Sequence, residues 1–597
     1  MVDDQRSIEG VTDHPPLPIV AALRPFDSDA WTQRATVFVL TAFLVAAVAA
    51  PLGMLLFWSL HDREGHWTGL TNFAAYLGTP PLRVSLVNTC KAAGAATLIS
   101  VIAAFTFAYA LTHARLPLRP VWRHVALLPL YAPSMLYGIG LVYLFGNQGL
   151  ATLGFFGRLP FGIDIHVYGL TGIIIAESVY AFPAAFLVLI VSLSHMDRRL
   201  YEAARSLGAS GARTFFAVTL PGCRLGLVSA ASIAFILSFT DFGAPKIVGG
   251  KATVLAVDVY QRVLEQHDFS MGATISILLL TPTLLAFALD RLARRHADGV
   301  SGRSLPYHPA RRAARDIPLS IACLLIAGAL LAVVAAPLLV SVVHRWPYSL
   351  SDRSVAPGPV FTLEHYDFER FGGTGGYDAF FNSLAVSALT AIAGTAVTFI
   401  GAYAVEKFRV GRGLRRLLYG LFLVPLALPG MVLGLAYLVL INKPSFAGLP
   451  NPLAWLYAST AVLVVCNIVH FSGVSFLTAR AALKQLDPEF EPVAGAMGVS
   501  TVRLFFRVTV PFSMPAVLEV AMYYFVSAMT TVSAVIFLCA PATKLASVAV
   551  VDLDGAGREQ EAAAMSVLIL LTNIAARLLM DFVAGPVLRR TQRWRSG

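Results

Sequence analysis

The sequence predicts an all-α integral membrane protein of about 12 transmembrane helices, arranged as two parallel six-helix repeats. Three observations predict it. Of 597 residues, 57% are hydrophobic and only 13% charged, against roughly 25% charged in an ordinary soluble domain; the mean hydropathy of +0.70 agrees. Apolar runs such as 36–60 and 317–343 reach the about 20 residues needed to cross a bilayer, and such runs recur along the chain. The third observation is internal repetition. Leu127-Leu128-Pro129-Leu130 followed by Pro133 and Gly138 returns as Leu423-Val424-Pro425-Leu426 followed by Pro429 and Gly434, an offset of 296 residues. Phe215-Phe216-x-Val218-Thr219-x-Pro221 returns as Phe505-Phe506-x-Val508-Thr509-x-Pro511, an offset of 290. The matches keep order and nearly constant spacing, which shared composition alone does not produce.

Apolar length and flanking charge place spans near 36–60, 85–112, 124–146, 168–194, 223–243 and 270–292. The second half repeats the count near 317–343, 382–404, 417–441, 453–477, 513–538 and 561–584. Prolines 129, 133, 425 and 429 make the third and ninth spans the least regular. The chain thus divides into an N-terminal tail (1–35), a first repeat (36–292), a basic linker (293–316), a second repeat (317–584) and a basic tail (585–597). The tail is polar, with Asp3 and Asp4 and no basic start of a secretory signal, so the first span is expected to be an uncleaved anchor.

Orientation follows from the arginines. Arg115, Arg119 and Arg123 follow span two, Arg198, Arg199, Arg205 and Arg213 follow span four, and Lys407, Arg409, Arg412, Arg415 and Arg416 follow span eight. The linker adds Arg291, Arg294, Arg295, Arg303, Arg311, Arg312 and Arg315, and the tail Arg589, Arg590, Arg593 and Arg595. All fall on one side, which retention of Lys and Arg makes the cytoplasmic side, with both termini. Lys246, Lys251 and Arg262 lie on the other side and weaken the bias locally. The same distribution explains the net charge of +11 without nucleic acid. Each half holds an even number of spans, so the repeats run parallel. The five cysteines, at 90, 223, 323, 466 and 539, lack the short paired spacings of a zinc site or disulfide framework and read as apolar packing residues.

Between spans four and five lies Tyr201-Glu202-Ala203-Ala204-Arg205-Ser206-Leu207-Gly208, continuing to Leu220-Pro221; its counterpart is Phe490-Glu491-Pro492-Val493-Ala494-Gly495-Ala496-Met497-Gly498, continuing to Val510-Pro511. Each reads as a short helix of small residues, a glycine suited to positive φ, and a second helix ended by proline. This resembles the cytoplasmic coupling loop of binding-protein-dependent ABC importer permeases, in a fused two-half form. The first copy matches that family's pattern at Glu202, Ala203, Ala204 and Gly208. The second keeps Ala494 and Gly498, has Pro492 and Val493 where Glu-Ala is expected, and carries Glu491 one position early, which puts its ion-pair role in doubt. The resemblance implies two copies of a cytosolic ATP-binding subunit, one docked on each loop, an extracytoplasmic solute-binding protein, a bacterial inner-membrane location, and alternating access. It also implies that ATP and magnesium bind the partner subunits, this chain holding no cofactor of its own. A lone copy would read instead as an interfacial amphipathic helix pair.

No phosphate-binding loop accompanies these motifs: Gly249-Gly250-Lys251-Ala252 has Pro245 in place of the leading glycine and Ala252 in place of the hydroxyl. Polar groups inside spans are the other candidates, because burying them in lipid is costly. Glu177 and Asn467, and Tyr180 and His470, occupy equivalent positions at the 290 offset. They either line a path between the halves or hydrogen-bond between helices. Asp241, ending span five, reads foremost as a solvated span-end residue, with contact to incoming substrate as the alternative. His470 has no second ligand one helical turn away, so no metal site is expected. Within the resembled family, Thr240 to Lys246 with Asp258-Val259-Tyr260 and Met271-Gly272-Ala273 looks most like 2-aminoethylphosphonate permeases, with iron(III) permeases next. An ion-coupled secondary transporter is a rival from another class, but it leaves the paired loops unexplained. A membrane enzyme has no nucleophile, metal motif or cofactor loop in its favour.

Overall fold

The computed structural model describes residues 28–295, 307, 309, 311–351, 358–369, 376–408, 411–442, 445–446 and 449–591. The tail before residue 28, most of the linker with Arg303, and Arg409, Arg593 and Arg595 lie outside the described residues.

Eight helices are long and apolar enough to cross a bilayer unaided: Asp29–Ser59, Pro80–His113, Leu170–Ser194, Phe269–Ala293, Ala313–Val340, Gly376–Lys407, Thr460–Lys484 and Glu559–Gly585. Four bent helix pairs bring the total to 12. Among the described residues the only strands are a two-residue pair, Ser445–Phe446 with Leu449–Pro450. The third and ninth spans are the most sharply bent. Arg119–Tyr131 meets Ser134–Phe145 at 103°, and Arg412–Ala427 meets Gly430–Ile441 at 114°. Pro129 and Pro133, like Pro425 and Pro429, withhold backbone donors and tighten the chain into a 3₁₀ turn there. The segment after each bend is almost wholly buried.

Three spans differ in their boundaries from the sequence expectation. The tenth span runs Thr460–Lys484 rather than 453–477, because Ser459 caps it by accepting from Val462 N and Pro452 keeps the preceding stretch out of the helix. The fifth and eleventh spans stop early, at Thr240 and Thr530. Beyond Thr530 the apolar run through Leu538 forms turns, not helix. Buried inside the protein, this irregular backbone escapes the lipid that would penalise its unpaired groups. Gly138 and Gly434 make room for these returning segments: a β-carbon on Gly138 would sit 2.8 Å from Ile247 Cβ, and one on Gly434 2.6 Å from the Ala534 carbonyl.

The halves are not two closed six-helix bodies. The first span packs on the ninth and eighth spans of the second half, and the seventh span packs on the second and third spans of the first. Tyr437 of the ninth span donates to the Ala47 carbonyl of the first at 2.7 Å. Spans from the two sides of the linker therefore interleave in space. Two further bonds show the pseudo-twofold relation. Thr283 of the sixth span donates to the Ala427 carbonyl in the bend of the ninth, at 2.9 Å; Asn573 of the twelfth donates to the Tyr131 carbonyl in the bend of the third, also at 2.9 Å. Each half thus secures the other's broken span at an equivalent point.

Candidate functional site

The two repeated loops lie at the same end of the bundle, each between a long span and a bent one. In the first, Asp197 caps the helix Arg198–Ser206 by accepting from Arg199 N. The helix ends in a Schellman turn, with Ala209 N bonded to the Ala204 carbonyl and Gly208 N to the Arg205 carbonyl. Gly208 has φ +70°, where a side chain is disfavoured. Ser210 then caps the helix Gly211–Gly222, which meets the fifth span at 63°. The second loop repeats this bond for bond. Helix Phe490–Ala496 ends with Val499 N on the Ala494 carbonyl, Gly498 has φ +67°, Ser500 caps by accepting from Arg503 N, and the next helix meets the eleventh span at 80°. The repeated Phe-Phe-x-Val-Thr forms a π-turn in both, Phe215–Thr219 and Phe505–Thr509. Pro492 and Val493, the departures from the expected pattern, sit in the first turns of a helix that begins two residues later than its counterpart, and the glycine-ended turn after it is the same.

Each loop presents an apolar tip: Leu207 is 86% exposed and its counterpart Met497 68%. Glu202 is exposed and pairs with Arg198 at 2.6 Å, one turn back on its own helix. Glu491 instead reaches Lys407, the last residue of the eighth span, at 3.1 Å, in a largely buried pair. The 290 offset makes Tyr201, not Glu202, the counterpart of Glu491. Tyr201 is buried and meets His113 Nε2 at 2.9 Å, and His113 is the last residue of the second span. Ala108-Tyr109-Ala110 and Ala402-Tyr403-Ala404 align His113 with Lys407. Both loop helices are therefore anchored to the same place by different chemistry. The sequence reading missed these anchors; the Ala-Tyr-Ala repeat was the available signal.

Other chain segments also brace the loops. On the second, Thr501 N donates to Asp29 at 2.8 Å, so the start of the first span caps that loop's second helix. On the first, Tyr307 of the linker packs on Tyr201 with ring centroids 4.3 Å apart, and Arg115 donates to the Pro309 carbonyl at 3.1 Å.

The polar residues of the spans lie toward the opposite end. Glu177 and Asn467 are fully buried, and neither Glu177 oxygen nor either Asn467 polar atom has a hydrogen-bond partner among the described residues. Asp241 is not a solvated span-end residue: it is turned inward, where it interacts with Glu177 and Ser134 and accepts from Ala244 N at 3.0 Å. The chain folds back at Phe242 into the helix Gly243–Val248, and Asp241 keeps partial exposure beside it. Tyr180 and His470 are only partly covered, and His470 Nδ1 is unpartnered. Tyr180 lies near Tyr137 and interacts with Tyr523 of the other half; Tyr523 packs on Phe471, which packs on His470. The structure thus brings Glu177, Asp241 and Tyr180 together, with His470 joined through aromatic rings. Two cavities between the halves flank this level. One, about 410 Å³ toward the far end, is lined by Tyr143, Tyr168, Glu559 and Glu561 among others; the second, about 540 Å³ toward the loops, by Asp290, Arg291 and Tyr419 among others.

Comparison with known proteins adds independent findings. Residues 96–299 and 381–591 each match the family model described as binding-protein-dependent transport system inner membrane component. A ferric transport system permease protein of Actinobacillus pleuropneumoniae is 25% identical over 83% of this chain and 71% of its own length. A candidate 2-aminoethylphosphonate transport system permease protein of Salmonella paratyphi A is 25% identical over 46% of this chain and 96% of its own. A thiamine transport system permease protein of Brucella abortus is 28% identical over 41% of this chain and 45% of its own.

Proposed function

We propose how this chain works from one premise: it belongs to the family of binding-protein-dependent transport system inner membrane components, with two copies of the family's unit fused in one multi-pass membrane chain. It acts as the permease of an ATP-driven importer, and ATP with its magnesium is bound and hydrolysed on two separate cytosolic subunits. The observation that carries this reading is the pair of matching glycine-ended loops at one end of the bundle, each with an exposed apolar tip at Leu207 or Met497. Each tip is suited to seat in a groove on one ATP-binding subunit, through Glu202, Ala203, Ala204 and Gly208 on one side and Glu491, Ala494 and Gly498 on the other. That end is cytoplasmic, as are both termini, in keeping with the arginines flanking it. Closure of the subunits moves the loops, and each moves the helix Gly211–Gly222 or Thr501–Phe512 that feeds directly into a span. A solute-binding protein delivers cargo at the opposite face.

Two cargoes have support. Iron(III) is favoured by a relative matched along both halves, and 2-aminoethylphosphonate by one matched along nearly its own whole length. The deciding experiment measures ATP hydrolysis by the reconstituted complex with binding proteins loaded with either compound. Stimulation by one loaded carrier identifies the cargo. No stimulation by any loaded carrier, with ATP-binding subunits present, sinks the importer reading.

A further inference from the structure

We infer that Glu177 and Asp241 form a cation-recognition point on the translocation path, so that the cargo crosses this level by its positively charged centre. The inference rests on the importer reading and specifies what that importer selects.

The argument begins with an unmet requirement. Glu177 is 0% exposed, both its oxygens lack hydrogen-bond partners, and the group it faces is a second carboxyl, Asp241. Among the described residues no Lys, Arg or His pairs with either. Enclosed carboxylates are costly to retain unless a positive charge or a proton joins them. A proton would meet that requirement if the position served packing alone. The second half shows that packing does not need a carboxyl: Asn467 occupies the equivalent place on the tenth span, with the same burial along the surrounding helix, and is neutral. What position 177 adds over position 467 is charge.

The groups nearby suit a cation in transit. Tyr180, one turn along from Glu177 and partly accessible, presents an aromatic ring of the kind that attracts cations. On the opposite half the Asn467 amide and His470 Nδ1 are likewise buried, with no hydrogen-bond partner among the described residues. Among the described residues no three His, Cys, Asp or Glu side chains converge as a metal site, so the pair recognises charge in passing and does not coordinate an ion tightly. Iron(III), the ammonium group of 2-aminoethylphosphonate and the ring cation of thiamine share this chemistry; inorganic phosphate lacks it.

The test uses proteoliposomes holding the full chain with its ATP-binding subunits and loaded binding protein, with iron(III) and 2-aminoethylphosphonate as probes. In Glu177→Gln and Asp241→Asn, uptake per ATP hydrolysed falls about tenfold or more, while carrier-stimulated hydrolysis stays within about twofold. Glu177→Asp restores uptake, and so does Glu177→Gln combined with Asn467→Asp, which moves the carboxylate to the equivalent position of the other half. Unchanged uptake per ATP in both single variants overturns the inference, as does a fall that merely tracks hydrolysis. Loss in Glu177→Gln that neither restoring variant repairs assigns the residue a structural role and overturns it too. A wild-type complex without carrier-stimulated hydrolysis is a separate result: it removes the importer reading before any variant is compared.

Discussion

The two loop helices are held at the same point by unlike bonds, His113 to Tyr201 in the first half and Lys407 to Glu491 in the second. Duplication preserved the backbone course, the Schellman turn and the anchor site, and left the anchor's chemistry free to change. The acidic residue that resembles the family motif is exposed in the first loop and, among the described residues, pairs only with Arg198 on its own helix; in the second, the nearest acid is committed to a largely buried ion pair with Lys407. In the proposed mechanism the loops are therefore equivalent as levers and unequal as docking surfaces.

The largest way to break the equivalence is at the glycines. Proline at position 208 or 498 forbids the observed positive φ, and either Gly208→Pro or Gly498→Pro should reduce ATP-driven uptake about tenfold or more while membrane insertion is unchanged. Alanine at either glycine should cost about 1–2 kcal/mol through left-handed strain. Equal wild-type uptake by both proline variants would refute the lever role.

The anchors come next. Lys407→Met leaves Glu491 without its partner in a poorly hydrated place and should destabilise the chain by about 2 kcal/mol. Tyr201→Phe removes the two neutral hydrogen bonds of its hydroxyl, to His113 and Thr219, and should cost about 1 kcal/mol. Thermal unfolding of the detergent-solubilised chain reads both, and a larger effect from Tyr201→Phe would reverse the ranking of the two anchors.

A third comparison concerns the contact between each bent span and the returning segment. Ser134 faces Gly243 in the first half, and Gly430 faces Ser533 in the second, so serine and glycine have exchanged places. Gly243→Ser should destabilise by about 1–3 kcal/mol through overpacking, and adding Ser134→Gly, which recreates the second half's arrangement, should recover most of it. No recovery in the double variant would show that the two contacts are not equivalent.

The smallest expected effect on stability separates docking from folding. Glu202→Gln removes an exposed pair with Arg198 and should change stability by less than about 0.5 kcal/mol, yet weaken binding of the ATP-binding subunit more than Glu491→Gln does. A titration of that subunit against both variants, with equal affinities as the contrary result, measures it.

Much of this was legible in the sequence because it is local. Span count follows from apolar length, the bends from Pro129, Pro133, Pro425 and Pro429, and the loop turns from glycines that alone accept positive φ cheaply. The early ends of spans five and eleven were not legible. Apolar residues such as Ile536 and Phe537 are equally suited to a lipid-facing helix or to buried turns, and only the surrounding protein selects between them. The anchors were half legible, since Ala-Tyr-Ala aligns His113 with Lys407 but says nothing of what either touches.

The sequence by itself determined an all-helical, duplicated membrane protein with two matched loops, since these rest on hydrophobic length, repetition and backbone conformation, all properties of neighbouring residues. Only the tertiary structure decided that the first and seventh spans are exchanged between the halves, that Asp241 turns inward onto Glu177, and that Glu491 is tied to Lys407. The reason is physical: helix formation is satisfied by hydrogen bonds within each segment, so helices in lipid are specified locally, while their partners are chosen by close packing and polar pairing between distant segments.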